Sequence, residues 1–223
     1  MAKLPVFKDG KVLRFGLAAR VLHTVHLFSF LVLFYTGLAR MWPQTNVLVG
    51  NNLLIGQTIH HIAAVIFIGL PIVLMAMNPK GTMDFLKEMF SWDSDDTKWL
   101  IKFLPWMIRP QAVHLPPQGK EKAGQKFSGL AIILFCITII FSGIMMWAGQ
   151  SISPALTRWA YVVHDVSMIL LLFLIIMHGY MGVFFPPTRK SWTSMVTGYV
   201  PEEEAKHGWR KWYDELKKEY GNA

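Results

Sequence analysis

The chain has 223 residues, of which 53% are hydrophobic and 16% are charged, and its formal net charge is +8. The apolar residues are gathered into long uncharged runs, which is typical of a membrane protein and argues against a large soluble core. The single cysteine, Cys136, excludes a disulfide within these residues, a C-x-x-C-H haem attachment and a multi-cysteine iron–sulfur cluster.

The predicted elements begin with a short hairpin around Asp9-Gly10, a turn pair that tolerates positive φ. Four apolar runs follow, and each can cross about 30 Å of hydrocarbon as a helix of about 20 residues. The first run is too long for a signal-peptide core, so we expect it to be kept as a spanning helix. We predict the spanning helices near Leu17–Leu38, Leu53–Met77, Phe127–Ala148 and Leu156–Phe184.

The long connection between the second and third spanning helices mixes tryptophans with charges and prolines. We expect amphipathic pieces at the cytoplasmic membrane interface, with the tryptophans at headgroup level. After Pro186-Pro187, residues Ser191–Gly198 and Glu202–Tyr220 are predicted to be helical. The aromatic face of the second segment would rest on the membrane or a partner subunit, or else fix a solvated tail. The predicted domains are a transmembrane domain, residues 1–188, and an amphipathic tail, residues 189–223.

Lysine and arginine are distributed unevenly among the connections. The segment before the first helix, the long connection and the tail are rich in both, whereas the other two connections offer only Arg40 and Arg158. By the positive-inside rule, both termini are predicted to be cytoplasmic. The basic charge is therefore expected to face anionic membrane lipids, with nucleic-acid binding the less favoured use.

Histidines inside apolar spans are costly to bury and therefore mark candidate functional sites. His164 and His178 are 14 positions apart, which places them within about 40° on one helix face and about 21 Å apart along its axis. In the predicted orientation, His23 and His178 both lie about 10 Å inside the cytoplasmic surface. His60, or its neighbour His61, lies about 10 Å below the outer surface, close to the depth of His164. The sequence predicts two depth-matched pairs, and geometry alone does not choose between His60 and His61.

Two pairs of neutral imidazoles at opposite sides of a helix bundle suit two b haems with both axial positions filled, whose role is transmembrane electron transfer. A single intramembrane histidine is readily explained by an interhelical hydrogen bond. Four histidines in two depth-matched pairs favour haem ligation over four separate hydrogen bonds. Arg20 and Arg158 are candidate partners for haem propionates, although either alone would also serve as a membrane-edge anchor. The predicted fold is an all-α membrane protein, a four-transmembrane-helix bundle holding two b haems, with a cytoplasmic amphipathic C-terminal segment.

These residues together resemble the cytochrome b (gamma) subunit of respiratory formate dehydrogenases, within a wider family that includes the cytochrome b of nickel–iron hydrogenases. The similarity covers essentially the whole chain, and the histidine spacing is its most specific part. The landmarks in chain order are Arg20-Val-Leu-His23 and Gly37, Ile59-His60, Ala123-Gly-Gln-Lys126, Arg158 with His164 and His178, and His207-Gly-Trp-Arg-Lys-Trp-Tyr213.

The resemblance implies that His23 and His178 ligate the cytoplasmic-side haem and that His60 and His164 ligate the outer haem. It therefore favours His60 over His61. His61 also marks a departure from the family pattern, which has proline after the ligand.

The resemblance also implies a quinone, menaquinone or ubiquinone, on the cytoplasmic side. Its expected contacts are His178 and the segment that contains Lys122, Gly124 and Gln125. Lys122 stands where the close family pattern has asparagine, but a cation can still donate to a quinone carbonyl or relay a proton.

The function implied is that of a membrane subunit in the bacterial or archaeal inner membrane. Electrons from an iron–sulfur partner subunit would cross between the haems and reduce quinone, with protons taken from the cytoplasm. Substrate oxidation would belong to a catalytic formate dehydrogenase-type subunit, since this chain offers no site for formate, molybdenum, tungsten or nickel.

The alternative functions are a cytochrome b subunit of a hydrogenase or sulfur-compound reductase, which could also oxidise quinol, and a histidine-lined transporter.

Overall fold

The computed structural model describes residues 5–42, 44, 45, 47 and 50–221. The described residues include four helices long and apolar enough to cross a membrane, as the sequence predicted. The fourth continues through a π-helical turn, Tyr180–Phe184, so that the full span is Pro154–Phe184. The four helices are α1, Leu17–Met41; α2, Leu53–Met77; α5, Ala123–Trp147; and α6, Pro154–Gly179.

The connection between α2 and α5 forms two shorter helices, α3, Pro79–Phe90, and α4, Ser94–Ile108. Asp93 and Asp96 form a capping box at the start of α4, in which each side chain accepts from the other's backbone N–H. Two helices in this connection agree with the sequence prediction. Trp99 is buried within the protein and stacks on Phe103 at a ring-centroid distance of 4.8 Å, and the level of the tryptophans in the membrane stays a prediction.

The chain divides into two compact units, the first of which is Gly16–Thr82. This unit contains the antiparallel helices α1 and α2, whose contacts run in opposite chain directions: Arg40 bonds Gln57, and His26 lies against Phe67. Asn52 caps α2 by accepting from the backbone N–H groups of residues 54 and 55. This uncharged cap satisfies the first backbone N–H groups, and α2 begins at Leu53, as the sequence predicted.

The second unit is Met1–Phe15 together with Met83–Ala223. Its spanning helices α5 and α6 are also antiparallel, because Thr138 pairs with Ser167 while Gly149 accepts from Thr157. Helix α5 begins four residues before the predicted start at Phe127. The reason is that the charge of Lys126, which appeared to end the apolar run, is neutralised by an ion pair.

The N-terminal segment of the second unit forms the predicted hairpin, with β1, Phe7–Lys8, and β2, Lys11–Leu13. The φ angles of Asp9 and Gly10 are 48° and 68°, the conformation that a tight two-residue hairpin turn requires. A third strand, β3, Tyr199–Pro201, pairs antiparallel with β2 and places Val12 opposite Val200. The sequence did not predict this strand.

The tail forms a 3₁₀ turn, Arg189–Trp192, and the helices α7, Thr193–Thr197, α8, Glu202–Gly208, and α9, Arg210–Tyr220. Its aromatic residues Trp209, Trp212 and Tyr213 are buried, which agrees with one of the options that the sequence left open, a tail anchored by its aromatics. The aromatic face packs on the chain's own hairpin and forms a small core, because burying these rings beside the strands removes them from water. The members of that core are Val12, Val200, Ala205, Trp209, Trp212 and Tyr213.

Candidate functional site

His60 projects from α2 toward α1. Its Nδ1 lies 2.8 Å from the hydroxyl oxygen of Thr36, which is buried. A Cβ atom added to the next residue, Gly37, would lie 3.8 Å from Cε1 of His60, so the glycine keeps the α1 backbone close to the imidazole edge. His61 points differently: its ring centroid is 6.5 Å from that of His60, and the two ring planes are 70° apart.

His164 projects from α6 toward α5 and has similar surroundings. Its Nδ1 lies 3.1 Å from the hydroxyl oxygen of Ser142 and 3.1 Å from the carbonyl oxygen of Ile139. A Cβ atom on Gly143 would lie 3.3 Å from Cε1 of His164, tighter than an ordinary contact. The carbonyl can only accept, so Nδ1 of His164 carries the proton, and Nε2 is the nitrogen with a lone pair for a metal.

These surroundings fit an axial haem ligand. A metal-bound histidine almost always donates its second ring nitrogen to a carbonyl, carboxylate or similar acceptor, which fixes the tautomer and the ring orientation. His164 has this arrangement, and His60 has a hydroxyl in the corresponding place. The surroundings of His60 and His164 are therefore compatible with ligation of a haem iron through Nε2.

The other predicted ligands lie near the start of α1 and at the end of α6. His23 is exposed on α1, and His178 is exposed one residue before the end of α6. The π-helical turn begins two residues after His178, and its wider register is seen in the bond from Phe185 N–H to the Tyr180 carbonyl at 2.9 Å. Such turns are frequent at functional sites. Each predicted ligand pair takes one histidine from each unit, so the pairing itself stays a prediction.

The two arginines predicted to hold propionates lie near helix starts. Arg20 is half-buried in the first turn of α1, and Arg158 is exposed in the second turn of α6. His26, one turn beyond His23, donates from Nδ1 to the Leu22 carbonyl at 3.1 Å, and its ring lies against that of Phe67 at a centroid distance of 4.6 Å. These contacts give His26 a packing role.

The residues predicted to contact quinone lie in a polar cluster at the start of α5. Arg14 donates to the Gln125 side-chain oxygen at 3.3 Å and to the Lys120 carbonyl at 3.1 Å, and forms an ion pair with Glu121 at 3.5 Å. Gln125 also accepts from the backbone N–H of Lys122 at 3.1 Å. Gln125 therefore joins the N-terminal segment to the first turn of α5.

Lys122 lies over the indole of Trp209, with Nζ 4.3 Å from the ring centroid. The guanidinium of Arg14 contacts the same indole at 4.1 Å. Burial and the neighbouring Arg14 charge lower the pKa of Lys122 from 10.5 to about 8. Burial also raises the pKa of Glu121, opposed by Arg14, and lowers that of Arg14, opposed by Glu121. Two cations thus contact the same indole.

Gly124, the third quinone candidate, has a packing role. A Cβ atom there would lie 2.7 Å from the ring of Trp99, so only glycine allows this approach. Within the part of the chain that the structure describes, two buried donors in the same cluster lack a hydrogen-bond partner: Nε of Arg14 and Nε1 of Trp209. Unsatisfied buried donors are rare in proteins.

Sequence reasoning missed Arg14, Glu121 and Trp209 as members of this cluster, because their contacts join distant parts of the chain. It also missed Thr36 and Ser142, although a local signal existed: each is a hydroxyl residue directly before a glycine in an apolar span. In the described residues, no three or more His, Cys, Asp and Glu side chains gather to hold a metal ion directly. A haem needs only two.

Four spanning helices, three of which carry histidines, define a multi-pass membrane protein. Residues 14–198 match the family model of prokaryotic cytochrome b561, and the chain belongs to that family. Membership implies a haem b cofactor.

Among curated proteins, the chain is 24% identical to the formate dehydrogenase cytochrome b556 subunit of Haemophilus influenzae, over 96% of this chain and 87% of that protein. It is 22% identical to the formate dehydrogenase cytochrome b556(fdo) subunit of Escherichia coli K12, over 93% of this chain and 94% of that protein.

Proposed function

We propose that the protein is the dihaem cytochrome b subunit of a formate dehydrogenase-type complex, passing electrons from an iron–sulfur subunit across the membrane to quinone. The names of its relatives, which it matches along nearly their whole length, support this assignment. The catalytic subunit and the iron–sulfur subunit are the partners that such a function requires. The chain contributes the path across the membrane, and haem b supplies a one-electron iron couple when bound.

The observation that carries the proposal is the position of His164 and His178 on one continuous helix, α6. Their separation of 14 residues corresponds to about 21 Å along the axis. Metal–imidazole bonds are about 2 Å long, so the two side chains cannot share one iron. Two haems are therefore proposed, with His164 and His60 holding the outer haem and His178 and His23 holding the inner haem.

Arg20 and Arg158 are proposed to hold haem propionates, because a guanidinium binds a carboxylate through two parallel hydrogen bonds. Arg158 precedes His164 by six residues and Arg20 precedes His23 by three. Each arginine therefore lies closer to its own helix end than the ligand that it accompanies.

The quinone is proposed to bind at the start of α5, with Lys122, Gly124, Gln125 and His178 as its contacts. The chemistry of Lys122 and Gln125 supports this location, since an ammonium group and a side-chain amide can both donate to a quinone carbonyl. A quinone that reached Lys122 would compete with the Trp209 indole for the ammonium group.

The termini are proposed to be cytoplasmic, together with the amphipathic tail of residues 189–223. The distribution of lysine and arginine supports this orientation. A second argument comes from the sheet: β2 precedes α1, β3 follows α6, and the two strands pair directly. This pairing supports an arrangement in which both ends lie on one side of the membrane, with an even number of spans between them.

The test is reduction of the b-type absorbance in membranes that contain the intact complex. Formate should reduce it, and added quinone should reoxidise it. If hydrogen or a sulfur compound reduces the b-type absorbance and formate does not, the result would favour the alternative, a cytochrome b subunit of a hydrogenase or sulfur-compound reductase. Absence of a b-type band would leave the histidine-lined transporter.

A further inference from the structure

The same arrangement of a hydroxyl residue and a glycine occurs in both pairs of spanning helices. Thr36-Gly37 on α1 faces His60, and Ser142-Gly143 on α5 faces His164. Both hydroxyl residues are buried, with 6% and 3% of their surface exposed. Each glycine lies at Cε1 of the imidazole, and each hydroxyl lies at Nδ1.

The direction of these hydrogen bonds follows from proton counting. The Thr36 hydroxyl lies 2.7 Å from the Val32 carbonyl of its own helix, and the Ser142 hydroxyl lies 2.7 Å from the Thr138 carbonyl. A hydroxyl has one proton, which these carbonyls take, so its remaining lone pairs accept. Each hydroxyl therefore accepts from the Nδ1–H of the facing histidine.

We propose that Thr36 and Ser142 are positioning residues for the axial ligands His60 and His164. Each hydroxyl accepts from the Nδ1–H of the facing histidine and fixes the plane of that imidazole. It thereby directs Nε2 of the histidine away from the helix that carries the hydroxyl. This inference rests on the proposed function, since it assigns the two histidines to a haem. An acceptor at Nδ1–H also makes Nε2 more basic, which favours ferric over ferrous iron and lowers the midpoint potential.

The two positions are not equivalent. His164 also donates to the Ile139 carbonyl at 3.1 Å, a backbone acceptor that a side-chain substitution leaves in place. Loss of the Ser142 hydroxyl therefore leaves His164 with an acceptor. Thr36 is 0.3 Å closer to its histidine than Ser142 is, at 2.8 Å against 3.1 Å. Removing the Thr36 hydroxyl should have the larger effect.

The test uses the intact complex with Thr36→Val, which keeps the shape of the side chain, and Ser142→Ala. Thr36→Ser restores a hydroxyl. Thr138→Val is the matched control, because Thr138 also joins two spanning helices but bonds Ser167, at 2.9 Å. The measurements are haem per polypeptide, the midpoint potential of each haem, and the electron paramagnetic resonance spectrum of the ferric haems.

We expect Thr36→Val to raise the midpoint potential of one haem and change its ferric spectrum, and Ser142→Ala to do so less for the same haem. If haem binding weakens as well, the expected loss of haem affinity is about 10- to 100-fold, the usual range for residues that hydrogen-bond to a metal ligand. Thr36→Ser should restore both properties, and Thr138→Val should change neither.

Unchanged potentials and spectra in both Thr36→Val and Ser142→Ala would overturn the inference. So would a Thr36→Ser variant that behaves like Thr36→Val, since that result makes the side-chain volume responsible and not the hydroxyl. Failure of the proposed function is distinguishable, because the unsubstituted complex would then lack two b haems before any variant is compared.

Discussion

The buried ion pair between Lys126 and Asp96 joins the first turn of α5 to α4. The ammonium and carboxylate are 3.1 Å apart, and their side chains are 5% and 4% exposed. Asp96→Ala would leave the ammonium buried without its counter-charge, which destabilises a protein by about 3–5 kcal/mol. Loss of the bond that Asp96 accepts from the Asp93 N–H adds about 1 kcal/mol.

The assay is thermal unfolding of the purified protein in detergent, followed by helical circular dichroism. Asp95→Ala is the matched control, because the ion pair of Asp95 with Lys211 is partly exposed and such pairs contribute about 0–1 kcal/mol. Adding Lys126→Met to Asp96→Ala should recover most of the stability, since no unpaired charge remains. If Asp96→Ala unfolds like Asp95→Ala, the buried pair does not stabilise the junction and the reasoning fails.

The remaining predictions concern the ligands, the cluster and one glycine. His164→Ala should remove the outer haem and leave the inner one partly occupied, and His178→Ala should do the reverse; full haem counts in both variants would refute the ligand assignment. Between about pH 8 and 10.5, the folded chain binds fewer protons at Lys122 than the unfolded chain, so stability should rise with pH over this window. Lys122→Met should abolish that rise in unfolding temperature, and an unchanged slope would contradict the lowered pKa. Gly124→Ala would force a Cβ to within 2.7 Å of Trp99 and should destabilise the protein by about 1–3 kcal/mol in the same unfolding assay; a neutral effect would show that the ring moves freely.

The spanning helices were predictable from the sequence because their signal is local. The apolar run that begins at Leu53 has no charge before Met77, and the helix has these bounds. The start of α5 was placed too late at Phe127, since a charge normally marks the end of a span. Lys126 is compatible with the helix because its buried ammonium group binds the Asp96 carboxylate and the Ser91 carbonyl, which lie 30 and 35 positions away in the sequence.

The pairing of β2 with β3 could not be predicted, because each strand has three residues and the partners are distant in sequence. The position of Trp209 depends on the same pairing. Its aromatic spacing in the sequence was compatible with a membrane, a partner or a solvated tail. The hairpin beside it determines which surface it covers.

The histidines were identified from the sequence, but their hydrogen bonds were not. Composition shows that His60 and His164 are costly residues in apolar spans, whereas the identity of the acceptor depends on the rotation of two helices. The repeated hydroxyl–glycine pairs, Thr36-Gly37 and Ser142-Gly143, are visible in the sequence. Their role in positioning a histidine depends on which imidazole faces them, and the sequence does not show this.

The most direct test of the dihaem assignment is the haem content of the purified protein, measured with the reduced-minus-oxidised absorbance spectrum. The arrangement of His23, His60, His164 and His178 predicts a b-type band and two haems per polypeptide. A purified protein that contains no b haem, or only one haem per polypeptide at full occupancy, would contradict the dihaem assignment.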